Sequence, residues 1–167
     1  MKCLCFSDSH GSPSLIRSAL RTHPDAEAVF YLGDGLTDIL PLAETDNTRA
    51  WFLVRGNCDY SAAFRGEEIK KLGSVTLCGK RITYTHGDLY GAKYGFDGLT
   101  LLAERTESDI ILYGHTHTAT EKYFNLSHGG VYLFNPGSAA LAYGASPSYG
   151  IITLTDSGVL LSHATLV

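Results

Sequence analysis

The chain has 167 residues, 44% of them hydrophobic and 18% charged, enough for one domain with a packed core and too few for two. Its formal net charge is -4 and no Lys/Arg-rich block occurs, which argues against extended nucleic-acid or membrane-surface binding. No apolar run approaches the roughly 20 residues of a membrane span, and no charged segment with an apolar core and cleavage site opens the chain. A mature protein beginning at or near Met1, with a cytoplasmic address, is the expectation.

In chain order, Met1 to Phe6 reads as a buried strand ending at Ser7-Asp8-Ser9-His10-Gly11. Ser12 is expected to cap a helix with Pro13 at its first position, and Leu15, Ile16, Ala19 and Leu20 supply its apolar face. Ala28 to Leu32 is a second strand, broken by Gly33-Asp34-Gly35, and a helix from Leu36 to Glu44 follows, its regularity limited by Pro41. Ala50 to Val54 is a third strand, closed by Arg55-Gly56-Asn57. Between Phe64 and Tyr84, alternating runs separated by Gly73 and Gly79-Lys80 read as antiparallel hairpins. Phe96 to Arg105 is a further helix and Asp109 to Tyr113 a further strand. Hairpin-like runs then cover 119–125, 131–134, 149–154 and 159–164, with turns at Gly129-Gly130, Asn135-Pro136-Gly137 and Asp156-Ser157-Gly158. The pattern predicts two packed sheets with helices outside, without repeat or linker.

Cys3, Cys5, Cys58 and Cys78 form no CxxC pair, so a zinc clip is not expected. Cys3 and Cys5 face one side of a strand as small buried hydrophobes. Five apolar runs, by contrast, each stop at a potential metal ligand beside a glycine. The ligands are Asp8 with His10, then Asp34, Asn57, His86, and His115 with His117. In open α/β sheets ligands gather outside the carboxyl ends of strands, so these ends point to one shared site. Seven donors are too many for one tetrahedral zinc and suit two ions about 3.5–4 Å apart, bridged by a carboxylate. Imidazole and carboxylate without thiolate favour a divalent ion of the Mn2+ kind, with Fe2+, Zn2+ and Ni2+ as alternatives.

The order Asp-x-His, Gly-Asp, Gly-Asn, His-Gly, Gly-His-x-His resembles the calcineurin-like metallophosphoesterase superfamily over essentially the whole chain. Gly56-Asn57-Cys58-Asp59 and Asn135-Pro136-Gly137-Ser138 resemble its small bacterial and archaeal phosphodiesterase branch. The resemblance implies an α/β fold, a four-layer αββα sandwich of two mixed sheets flanked by helices, in a single domain over 1–167 with no cap domain. It implies Asp8, His10 and His117 on one ion, Asn57, His86 and His115 on the other, and Asp34 bridging. The reaction it implies is hydrolysis of a small phosphate ester by a metal-bridging hydroxide.

Two divalent ions, two carboxylates and one hydroxide leave about +1 at such a site, which matches a phosphodiester better than a monoester dianion. Arg55 is the only cation within a motif. Asn57, Cys58 and Asp59 are the candidates for catalytic roles. Many members of the superfamily carry His where Cys58 stands, and a thiol is a poorer proton donor to a leaving group than imidazole. Asp59 could orient a ligand. Asp38, Asp88 and Asp97 read as capping or solvated positions, and His23, His128 and His163 as structural or solvent-facing. Tyr60, Phe64, Tyr90 and Tyr94 either stack a base or cover the core.

Two other readings stand beside this one. A non-catalytic protein-binding scaffold of the same fold, like the retromer subunit, would not need a complete ligand set, and a phosphomonoesterase would need extra cationic clamps. A metallo-β-lactamase fold would continue its His-x-His with an Asp-His pair, whereas Thr118-Ala119-Thr120 follows His117. A homo-oligomer is compatible with the sequence.

Overall fold

The computed structural model describes residues 1–140 and 146–165. In chain order the elements are β1 (Lys2–Phe6), α1 (Ser14–Thr22), β2 (Ala28–Tyr31), α2 (Leu36–Thr45) and β3 (Ala50–Leu53). The short β4 (Ala63–Phe64) and β5 (Glu67–Glu68) pair with each other and lead to β6 (Leu72–Leu77) and β7 (Lys80–Thr85). A 3-10 turn (Asp88–Tyr90) precedes α3 (Asp97–Thr106), β8 (Ile110–Leu112), β9 (Thr120–Leu126), β10 (Gly129–Asn135), β11 (Ser148–Thr155) and β12 (Gly158–Thr165).

Two five-stranded mixed sheets result, one ordered β12-β11-β1-β2-β3 and the other β6-β7-β8-β10-β9. Alternation along each strand divides the apolar side chains into three layers, because successive residues point to opposite faces. Leu4 and Phe6 of β1, with Val29 and Tyr31 of β2, face outward onto Leu15, Ile16 and Ala19 of α1 and Leu36, Ile39 and Ala43 of α2. The intervening Cys3, Cys5, Ala28 and Phe30 face inward onto Ile82, Ile110, Leu112 and Phe134 of the second sheet. On that sheet's other face Ile111, Val131 and Leu133 meet Leu99, Leu102 and Ala103 of α3. The layers therefore run helix, sheet, sheet, helix, as expected. Cys3 and Cys5 are fully buried, as their spacing implied.

Several local expectations are corrected. Helix α1 begins at Ser14 with Pro13 at its cap, and no side chain caps it. Instead Ser12 N–H donates to the Ser9 carbonyl, closing a turn beneath the first strand end. Helix α2 runs through Pro41 to Thr45 without breaking. The β6–β7 hairpin turns on Cys78-Gly79, both at positive φ, rather than on Gly79-Lys80.

The topology brings the strand ends together. β1, β2 and β3 are parallel in one sheet, and β7 and β8 are parallel in the other. All five release their chains on one rim, where the two sheets face each other.

Candidate metal centre and its cavity

The segments after β1, β2, β3, β7 and β8 carry the seven predicted donors, and the structure brings them to this rim. Asp8 Oδ1 lies 3.2 Å from His117 Nε2 and 3.9 Å from His10 Nε2, and the two imidazole nitrogens are 3.3 Å apart. Beside this group, Asp34 Oδ2 lies 3.3 Å from His86 Nε2, which in turn is 3.1 Å from Asn57 Oδ1 and 3.2 Å from His115 Nδ1. Donor atoms of Asp8, Asp34 and His86 fall within 4.8 Å of one another, and so do those of His10, Asp34 and Cys58. Asp34 therefore sits between the two halves of the constellation.

Backbone geometry at these positions is unusual. Asp8, His10, Asp34, His115 and His117 all have positive φ, between 42 and 67°. Such conformations cost about 1–3 kcal/mol each in non-glycine residues and gather at functional sites. The interlayer cores supply the compensation, since each fully buried Phe, Leu or Ile contributes about 1.5–3 kcal/mol. The glycines beside the ligands answer a different need, which is space. A Cβ on Gly56 would collide with the Asp34 carboxylate, and one on Gly114 with Ser7 Oγ.

A web of hydrogen bonds holds the loops. The Asp59 carboxylate accepts four backbone N–H groups: Asp34 at 2.7 Å, Gly56 at 2.8 Å, and Gly35 and Leu36 at 2.9 Å. Asp38 is neither a solvated residue nor a cap for its own helix; its Oδ2 accepts Ser9 Oγ–H at 2.6 Å and Gly11 N–H at 2.8 Å, tying α2 to the Asp8–His10 loop. The Asn135–Ser138 turn braces two other loops. Asn135 Nδ2 donates to the Gly114 carbonyl at 2.9 Å, and Ser138 Oγ donates to the Asp8 carbonyl at 2.8 Å. His86 Nδ1 donates to the buried Leu32 carbonyl at 2.7 Å, which leaves Nε2 as the atom aimed into the site.

The electrostatics arise from burial and pairing. Burial alone would raise the Asp34 carboxyl, but the His86 contact and the Cys58 N–H hold it well below the usual carboxylate range. Burial likewise opposes charge on His86, yet Asp34 and Asp8 raise its pKa above the ordinary imidazole value. His115 moves down, through burial first and then the nearby His86 and Lys93. The Cys58 thiol moves up, mainly through its hydrogen bond to Asp34.

The donor set fits divalent cations. Asp8 is wholly buried, yet its Oδ1 has no hydrogen bond and faces two imidazoles. A buried carboxylate oxygen without a donor is costly unless a cation meets it. Imidazole nitrogens and carboxylate oxygens aimed at a common point are what such an ion requires.

A cavity of about 780 Å³ opens over the centre, lined by His10, Asp34, Asn57, Cys58, Lys93, His115 and His117 among others. Lys93 carries no signal in the sequence, because it lies in no motif and reaches the site only through the fold of the segment before α3. Arg55, expected as the site's cation, instead points its guanidinium toward Glu68 at 3.9 Å and lines neither this cavity nor its neighbours at the centre. The loop aromatics divide. Phe64 and Tyr90 are partly buried against the cores, whereas Tyr60 and Tyr94 stand 91% and 96% exposed. His23, His128 and His163 each engage a structural partner: Tyr149 Oη, the Ser108 carbonyl and the Asn135 carbonyl.

Known proteins share sequence and fold with this chain. A calcineurin-like phosphoesterase superfamily domain matches residues 1–157. The probable metallophosphoesterase YsnB of Bacillus subtilis is 31% identical over 159 residues, covering 93% of this chain and 86% of the relative. Phosphodiesterase YfcE of Escherichia coli is 29% identical over 198 aligned positions, covering 98% of each chain. Among solved structures, vacuolar protein sorting 29 from Cryptosporidium parvum superposes with a TM-score of 0.75 at 19% identity, over 99% of this chain and 97% of that one, a likeness of fold alone.

Proposed function

Because the chain belongs to the calcineurin-like phosphoesterase superfamily, we propose that it is a dinuclear-metal phosphodiesterase acting on a small phosphate ester. The observation that carries this reading is the donor geometry around the buried Asp34 carboxylate, with Asp8, His10 and His117 on one side and Asn57, His86 and His115 on the other. Asp8, His10 and His117 are assigned to one ion and Asn57, His86 and His115 to the other, with Asp34 shared and Mn2+ favoured. When bound, such a pair supplies a hydroxide nucleophile at neutral pH and positive charge against the phosphoryl oxygens.

The chain's own residues set the leaving-group preference. Asn57 and Cys58 line the cavity beside Asp34, where the leaving oxygen needs a proton or a hydrogen bond. Cys58 places a thiol, a weaker acid than imidazole, at that position, so esters with activated leaving groups are favoured. The cysteines of the described residues are all free, which supports a reducing, cytoplasmic address. No helix among the described residues is long and apolar enough to cross a membrane.

The test pairs metal analysis with turnover of bis(4-nitrophenyl) phosphate in Mn2+. Wild-type protein is expected to hold about two ions per chain and to cleave this diester far faster than an alkyl diester. Asp34→Asn is expected to lose metal and at least about 100-fold in activity. A folded wild type that is inactive and holds less than one ion per chain favours the protein-binding scaffold instead, and preference for 4-nitrophenyl phosphate favours the monoesterase.

A further inference from the structure

Lys93 stands where two cavities meet. The first is the cavity over the metal centre; the second, of about 570 Å³, shares Lys93, His115 and His117 with it and extends past Phe96, Thr116, Thr118 and Thr120. Among the described residues no carboxylate lines the second cavity, and Asp34 is the only one lining the first. Among the described residues the Lys93 ammonium has no ion-pair or hydrogen-bond partner; Lys2, Lys71 and Lys80 each pair with an aspartate, and Lys70 and Lys122, also without a partner, line neither cavity.

The position of Lys93 is also built. Ala92, buried beside it, donates its N–H to the Gly87 carbonyl at 3.2 Å, and Tyr94 N–H donates to the Gly91 carbonyl at 2.8 Å. The loop thus presents a cation without an ion-pair partner toward a trough that no carboxylate among the described residues lines. An exposed ammonium alone is strongly hydrated and attracts little. Across from a ligand anion in a partly closed trough it forms a charge-assisted hydrogen bond of the stronger class.

We propose that Lys93 is a specificity-determining residue: it pairs with a second anionic group, on the non-reacting arm of the substrate seated in the second cavity. The preferred ester is then a phosphodiester one of whose arms carries a further negative charge. This rests on the phosphodiesterase reading above and narrows its substrate class. It also revises the charge count at the site, since Lys93 supplies the extra positive charge that Arg55 was expected to offer.

The experiment compares two matched substrates in the metal-loaded full chain: thymidine 5′-(4-nitrophenyl phosphate) and the same compound bearing a 3′-phosphate. Wild type is expected to show a kcat/KM about tenfold higher for the 3′-phosphorylated compound, carried mainly in KM and shrinking as salt rises. In Lys93→Ala that ratio falls to about one, in Lys93→Glu it inverts, and Lys93→Arg restores it. A wild-type ratio of one overturns the proposal, as does a Lys93→Ala variant that slows both substrates alike and keeps the ratio. An effect of Lys93→Ala confined to 4-nitrophenyl phosphate also overturns it, by locating the cation at the reacting phosphoryl group. Failure of metal-loaded wild type on bis(4-nitrophenyl) phosphate and both nucleotides removes the phosphodiesterase reading itself, and the role of Lys93 with it.

Discussion

Asp59 gathers four backbone N–H groups from two loops onto one carboxylate, and both loops end in candidate ligands, Asp34 and Asn57. The sequence marked it only as a residue able to orient a ligand. Its actual partners are backbone, and no residue pattern announces those. Replacing Asp59 with Ala strands buried donors and removes a charged acceptor, so unfolding free energy is expected to drop by about 3 kcal/mol. Metal affinity should drop with it, because the Asp34 loop loses its template. Denaturant melts with and without Mn2+ check both points; an Asp59→Ala protein within about 1 kcal/mol of wild type, with the same metal affinity, contradicts the template role. Cys58, its neighbour, lines the cavity over the centre, which Asp59 does not.

Among the elements, helix α3 and the β9–β10 hairpin show how a peripheral pair is fastened. Glu104 of α3 accepts Ser127 N–H at 2.8 Å, and His128 in the same turn pairs with it at 3.4 Å. Hydrogen bonds from Ser127 lower the Glu104 pKa, and the Ser108 carbonyl, followed by Glu104, raises that of His128. A lowered carboxylate stabilises the fold above its ordinary pKa and loses that effect as pH falls. A raised imidazole stabilises below its ordinary pKa near 6.5 and loses the effect as pH rises through the folded value. Their joint contribution is therefore largest between about pH 4.5 and 6.5. The melting difference between wild type and His128→Ala should be greater at pH 5.5 than at pH 8.5, though small because the pair is partly exposed. Equal differences at both pH values would mean that the ion pair fastens nothing. The hairpin itself was legible from its two β-prone runs, but its turn falls on Ser127-His128 and the expected turn glycines Gly129-Gly130 open β10. The start of α1 was not, since the chain is still in a turn at Ser12, whose N–H donates to the Ser9 carbonyl, and the cap position falls on Pro13.

At the scale of the whole molecule, the seven candidate donors could be picked out because each follows an apolar run, and runs of that kind make strand ends. What the chain could not display locally was the strand order. Residues 8, 10, 34 and 57 follow strands of one sheet and 86, 115 and 117 strands of the other, so the site exists only where the two sheets face each other. Lys93 was hidden for the same reason, its nearness to His115 being a product of packing rather than of spacing. A centre built across that seam has a thermodynamic consequence. Ions that bind the folded chain and not the unfolded one stabilise it by about 2.7 kcal/mol at 100 times their dissociation constant. For a chain of this length that corresponds to about 5–10 °C in Tm. Excess Mn2+ is expected to raise Tm by that amount over chelator-treated protein, and Asp34→Asn, which unlinks the two halves, to forfeit most of the gain. Differential scanning calorimetry with and without chelator decides the matter: a Tm indifferent to both metal and chelator would mean that these side chains converge without holding an ion between the sheets.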